Sequence, residues 1–275
     1  MKALVVLISI IVILILIREI VSLKAQKMKL KKLEIGKASL IGDREFQEDS
    51  MDIACIDNAT LSVLADGRGK NKAGKLSSLL ATNIFVELFK HDNSISNINY
   101  FFKRAFNITN REILKKLDDN QGGASIVCSI IIDNLLHYAL VGNTMIAVFR
   151  NNELISLSEG HTANVLAKKG FYEGKISKQH ALWALKEKRL LNYVGQDGFK
   201  DIEVYDVPIE LKKEDIIILM SDGVHNYVPW NDIECTLKQN LTCNQIAHNI
   251  INKLNAIYLV NKDNASVIVM KYKGH

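Results

Sequence analysis

Short, nearly unbroken apolar runs alternate along this chain with longer stretches in which apolar residues return every three or four positions. The first pattern predicts strands and the second helices. Strand-like runs fall at residues 37–41, 51–56 and 60–65, then at 125–132, 136–141, 144–150 and 153–157, and again at 202–207, 215–220 and 265–272. Asp133-Asn134 and Asn151-Asn152 separate neighbouring runs and suit tight hairpin turns. Helical spacing covers 75–90, through Leu76, Leu79, Leu80, Ile84 and Leu88, and 98–117, through Phe101, Phe102, Ala105, Ile108, Ile113 and Leu117. Two more helices are predicted at 231–239 and 244–259, and residues 158–200 are polar and helical in patches. Strand blocks set apart by helix pairs point to an α+β class rather than to βαβ repeats. The central runs are apolar at successive positions, so both faces of their sheets must be covered. Two sheets face to face with helices outside meet that demand. No repeat or Pro-rich linker interrupts residues 36–275, which read as one domain.

The N-terminus differs. Residues 3–17 carry no charge, which helps lift the hydrophobic share of the chain to 48%. As a helix this run spans roughly 22 Å, short of a ~30 Å hydrocarbon core. Lys2 and Arg18 can snorkel, and Ile20, Val21 and Leu23 extend the stretch. A cleaved signal peptide fits less well, since no small-residue cleavage site follows. A buried core helix fits poorly with a run apolar all round. Residues 1–23 therefore read as a single transmembrane helix that anchors the chain to a lipid bilayer. Lys24, Lys27, Lys29, Lys31 and Lys32 mark residues 24–35 as a basic juxtamembrane linker, suited to anionic headgroups, and place the following domain in the cytoplasm. Basic residues exceed acidic ones by six within 1–32, against +5 for the whole chain, so the body carries about −1. A body so nearly neutral argues against nucleic acid as a partner. Cys55, Cys128, Cys235 and Cys243 show no C-x-x-C spacing, which argues against zinc and against a disulfide framework. Cys55 and Cys128 are expected to be small buried hydrophobes.

Chemistry concentrates where apolar runs meet acids. Residues 61–65 lead into Asp66-Gly67, and residues 216–221 into Asp222-Gly223. Glu48-Asp49 precedes the run at 51–56, and Asp263-Asn264 the run at 267–270. Taken singly, each pair suits a turn, a cap or solvated surface. Four acidic positions at the ends of buried strands can instead converge, and packed carboxylates repel unless a hard divalent cation sits among them. The chain is a candidate metal-dependent enzyme.

Seven segments then carry a family resemblance: Arg44-Glu45-Phe46-Gln47-Glu48-Asp49, Ala65-Asp66-Gly67-Arg68-Gly69, Gly123-Ala124-Ser125, Val141-Gly142-Asn143-Thr144, Glu159-Gly160-His161-Thr162, Leu219-Met220-Ser221-Asp222-Gly223-Val224 and Lys262-Asp263-Asn264-Ala265-Ser266-Val267. In that order they resemble the motifs of the PPM (PP2C-like) metal-dependent protein serine/threonine phosphatases. The resemblance implies a β-sandwich of two antiparallel sheets flanked by helix pairs, with two Mn²⁺ or Mg²⁺ ions at one end. It implies that Asp66 bridges both ions, that Asp222 and Asp263 hold one, and that Glu48 and the Gly67 carbonyl hold the other. It assigns Asp49 to orienting water and Arg44 to binding the phosphate of a phosphoserine or phosphothreonine protein. Such ions lower the pKa of a shared water. His161 suits loop packing better than proton donation, and His225 a supporting role. Asn143 stands where the family has an Asp that helps to hold a weak third ion, Ala124 lacks a usual hydroxyl, and Arg68 and Lys70 add positive charge. Those departures keep open an alternative, a pseudophosphatase that binds a phosphoprotein or other partner without turnover.

Overall fold

A computed structural model describes residues 11–19, 32–56, 58–91, 97–117, 122–184, 189–199 and 201–274. Two antiparallel sheets form its centre. One orders its strands as β1 (Leu33–Leu40), β11 (Ala265–Tyr272), β10 (Ile216–Met220), β6 (Met145–Arg150) and β7 (Glu153–Ser156). The other runs β2 (Asp49–Ile56), β3 (Ala59–Gly69), β4 (Gly122–Ile132), β5 (Leu135–Val141) and β8 (Glu203–Val204), and the two-residue β9 (Ile209–Glu210) also pairs with β5. Leu64, Val127, Leu140, Ile146, Ile217 and Ile268 fill the space between the sheets. Each such side chain contributes about 1.5–3 kcal/mol on burial.

Helices cover the outer faces, as the two-sided apolar strands require. Helices α1 (Ala73–His91) and α2 (Ile98–Lys116) press Phe85, Phe89, Phe102 and Phe106 onto Leu61, Val63 and Ile126. Phe85 and Phe106 meet edge to face at 5.1 Å. Asn97 starts α2 by accepting the Tyr100 N–H. After β7 come α3 (Ala163–Tyr172) and α4 (Lys178–Ala184), which give the patchy 158–200 segment two short helices. Past β10, the four-residue α5 (Asp222–His225) leads to α6 (Trp230–Leu237) and α7 (Cys243–Ala256), which pack Ile233, Ile246 and Ile250 onto Ile218, Val267 and Val269.

One expectation changes. Cys55 is exposed rather than buried, because β2 is an edge strand, whereas Cys128 on central β4 is buried. No helix among the described residues is long and apolar enough to cross a membrane. Residues 11–19 are helical and exposed, and the remainder of the predicted 1–23 span and most of the 24–35 linker lie outside the described residues.

Candidate active site

Four acidic segments meet at one end of the sandwich. Asp49 opens β2 directly opposite Asp66 of β3, so neighbouring strands present two carboxylates. Asp66 lies three residues inside β3 rather than at its end, since the strand continues to Gly69. Beyond β10, the Ser221 N–H donates to the Ser266 carbonyl at 3.0 Å and the Ser266 N–H to the Ser221 hydroxyl at 2.9 Å. These bonds set Asp222, the first residue of α5, beside the entry to β11, where Asp263 and Asn264 lie. Gly223 packs against the Asn264 carbonyl with no room for a Cβ, so only glycine permits the approach.

Asn264 organises the remaining segment. Its side-chain oxygen accepts the Glu48 N–H at 2.8 Å, and its amide donates to the carbonyls of Ile41 at 2.7 Å and Phe46 at 3.1 Å. The buried amide thereby pins the 41–48 loop, with Arg44 and Glu48 on it, against β11. In the sequence Asn264 stands out only as a motif residue, and no sequence pattern signals this role. Glu48 is held from the other side as well: its carbonyl accepts the Gly67 N–H at 3.1 Å, and Gly74 lies so close that a Cβ there would stand 2.7 Å from the carboxylate.

Burial and mutual repulsion govern the charges. Burial foremost pushes the Asp49 carboxyl up to about 7, aided by the charges of Asp222 and Asp263 and opposed by the nearby hydroxyls of Ser266 and Ser221. Neither Asp49 oxygen reaches a full hydrogen bond. Asp66 is held well above the usual carboxylate range, first by burial, then by the charges of Asp222 and Asp49 and a hydrogen bond to Asp222. Burial also raises Glu48, while the Lys75 backbone N–H and Arg44 pull it down. Arg44 pairs with Asp263 at 2.9 Å on the half-exposed rim. Among the described residues no three His, Cys, Asp or Glu side chains already stand as a complete ligand set. The carboxylates are neighbours, but Asp263 is drawn out toward Arg44 and Asp222 accepts the Asn143 amide at 2.7 Å. The hard oxygen donors of Glu48, Asp49 and Asp66, with raised pKa values and both Asp49 oxygens buried without partners, fit a hard divalent cation, which would relieve both the repulsion and the lost hydrogen bonds.

Asn143 is fixed at both ends, since the Ser125 hydroxyl donates to its oxygen at 2.7 Å. His161 packs in the loop, where its Nδ1 accepts the Gly142 N–H at 3.0 Å. The His225 ring meets the Asn143 carbonyl at 2.7 Å and so supports the same turn.

A serine/threonine phosphatase of Listeria monocytogenes is 27% identical over 222 residues, covering 78% of this chain and 85% of that protein. Protein phosphatase PhpP of Streptococcus pneumoniae is 26% identical over 180 residues, covering 63% and 71%. The solved Streptococcus agalactiae serine/threonine phosphatase superposes with a TM-score of 0.75 over 86% of this chain and 98% of its own, at 21% identity. The Mycobacterium tuberculosis phosphatase PstP/Ppp gives 0.68 over 88% and 99%, at 20% identity. The chain is therefore similar in sequence to named serine/threonine phosphatases and shares the fold of solved ones. No family model matches it.

Proposed function

We propose that the chain is a protein phosphatase that hydrolyses phosphoserine and phosphothreonine with two Mn²⁺ or Mg²⁺ ions. One observation carries the reading: Glu48, Asp49, Asp66, Asp222 and Asp263, from four distant parts of the sequence, crowd one end of the sandwich at a cost in repulsion that a cation removes. Asp66, Asp222, Asp263, Glu48 and the Gly67 carbonyl would hold the ions. When bound, such ions supply the Lewis acidity that lets a water lose its proton near neutral pH. Arg44, which now pairs with Asp263, binds the phosphoryl oxygens through its guanidinium fork. Asp49 uses its unpaired oxygens to orient the attacking water. Asn264 holds the Arg44–Glu48 loop in place, and Asn143 orients Asp222. The uncharged 3–17 run and the lysines after it support a membrane anchor with the domain on the cytoplasmic side.

The test is turnover of p-nitrophenyl phosphate and of a phosphothreonine peptide by the full chain. Mn²⁺ should support both reactions, excess EDTA should stop them, and Asp222→Asn should lower kcat by about a thousandfold, on the order expected for losing a metal's several kcal/mol of charge stabilisation. Undiminished turnover in excess EDTA would refute the reading.

A further inference from the structure

Positive charge is crowded beside these carboxylates. Residues 68–75 carry Arg68, Lys70, Lys72 and Lys75 and no acid, although the body of the chain is close to neutral. This segment forms the turn from β3 into α1, with Asn71 and Lys72 at φ of 50° and 70°. The turn brings Lys70, Lys72 and Lys75 around a groove of about 400 Å³, whose apolar wall is Leu76, Leu79 and Leu117. Leu76 and Leu79 are 41% and 42% exposed, a contiguous apolar strip that solvent would not select. None of the three lysines forms an ion pair with a described residue. Lys72 places its ammonium 4.9 Å from the centroid of the Phe46 ring, on the loop that carries Arg44 and Glu48. Lys75 links groove and site more directly, because its backbone N–H faces the Glu48 carboxylate while its side chain lines the groove. A chain whose phosphoresidue sits at the carboxylates therefore has its flanking residues within reach of these lysines.

We propose that this groove binds an acidic segment, with an apolar residue among the acids, that flanks the phosphoresidue of the protein substrate. The proposal rests on the phosphatase reading and names a substrate class for it. Three ammonium groups that form no ion pair with a described residue select Asp and Glu, and the leucine wall takes the apolar side chain between them. Concavity favours a peptide over a flat bilayer as the occupant. The full chain should be assayed on two phosphothreonine peptides that differ only in a Glu-Leu-Glu or Gln-Leu-Gln flank, placed on either side of the phosphoresidue. The acidic peptide should show a kcat/KM about tenfold higher, in keeping with a few exposed charge contacts. The ratio should fall toward one in K70Q/K72Q/K75Q, or partway in K70Q alone if the triple variant fails to fold. Rising salt should lower it too. Equal rates on both peptides, or a ratio unmoved by the substitutions, would overturn the proposal and leave the phosphatase reading standing. Failure to turn over any substrate would strike the phosphatase reading instead. The groove would then be read by fluorescence anisotropy of the labelled, unphosphorylated acidic peptide: binding weakened in the variants supports it, and no binding overturns it.

Discussion

At the scale of single residues, Asn143 shows how one amide can steady a crowded acid. Ser125 donates to its oxygen and its nitrogen donates to Asp222, both at 2.7 Å, so the orientation of the amide follows from its partners. An Asp in its place would turn a donor into a second anion facing Asp222. Asn143→Asp should therefore lower the melting temperature in EDTA by several degrees, corresponding to about 1–3 kcal/mol for a half-buried acceptor left without its donor and facing a like charge. Added Mn²⁺ should recover more stability in the variant than in the parent, because the cation then has one more charge to neutralise. Differential scanning fluorimetry with and without metal measures both effects. An unchanged melting temperature in EDTA would show that the Asn143–Asp222 bond contributes little. Asn264 invites a similar trial. Asn264→Ala removes three bonds to main-chain groups and should lower turnover through misplacement of Arg44 and Glu48, raising KM as well as lowering kcat.

At the scale of elements, the turn between β5 and β6 is clamped to the start of the α3–α4 segment by His161. Its N–H donates to the Gly142 carbonyl at 2.7 Å while its ring Nδ1 accepts the Gly142 N–H. That acceptor exists only in the neutral ring. Burial lowers the His161 pKa below its usual 6.5, with a smaller push from Lys169 and opposition from Asp201. A base with a depressed folded pKa contributes stability that is present above pH 6.5 and lost as pH falls through the folded value. The melting temperature should thus drop more between pH 7.5 and 5.5 in the parent than in His161→Gln, as followed by circular dichroism. Equal drops would exclude His161 as the cause. The same scale explains what the sequence makes legible. β10 is an unbroken apolar run, and β4 and β11 are broken only by serines and Lys271, because helices and a second sheet cover both their faces, while α1 and α2 show their inward stripes. β1 begins four residues earlier than its apolar pattern suggests. Glu34 and Gly36 interrupt that pattern for tertiary reasons: Glu34 accepts the Cys243 N–H at 2.9 Å, and a Cβ on Gly36 would collide with the α7 backbone. The acids of the site can be picked out from their places beside apolar runs. The Asn264 clamp cannot, because its partners are main-chain groups that no side-chain pattern advertises.

At the scale of the whole molecule, the direction of β1 separates two ends with different tasks. Leu33 pairs with Tyr272, and just beyond them the Lys273 N–H donates to the Lys32 carbonyl at 2.8 Å, so the fold closes where the basic N-terminal segment joins it. Leu40 pairs with Ala265, next to Asn264 and the carboxylates. Eight extended residues carry the chain roughly 25 Å between these ends. If residues 1–23 sit in a bilayer as proposed, the chain enters the sandwich at the end remote from the acids, and Arg44 and the lysine groove lie at the other end. Among the described residues, all eleven strands and all three hydrophobic clusters lie within residues 33–272, so a chain starting at Leu33 retains each of these packed layers. The full chain should sediment with vesicles rich in phosphatidylglycerol and stay bound at high salt, since burial of the apolar run does not depend on charge screening. Residues 33–275 should remain in the supernatant. Both forms should hydrolyse a phosphothreonine peptide with equal kcat/KM, with or without vesicles, because the bound surface and the reacting groups lie a strand's length apart. A full chain that leaves the vesicles in salt would reduce the N-terminus to an electrostatic tether, and turnover that falls on membrane binding would mean that the acidic end faces the lipid.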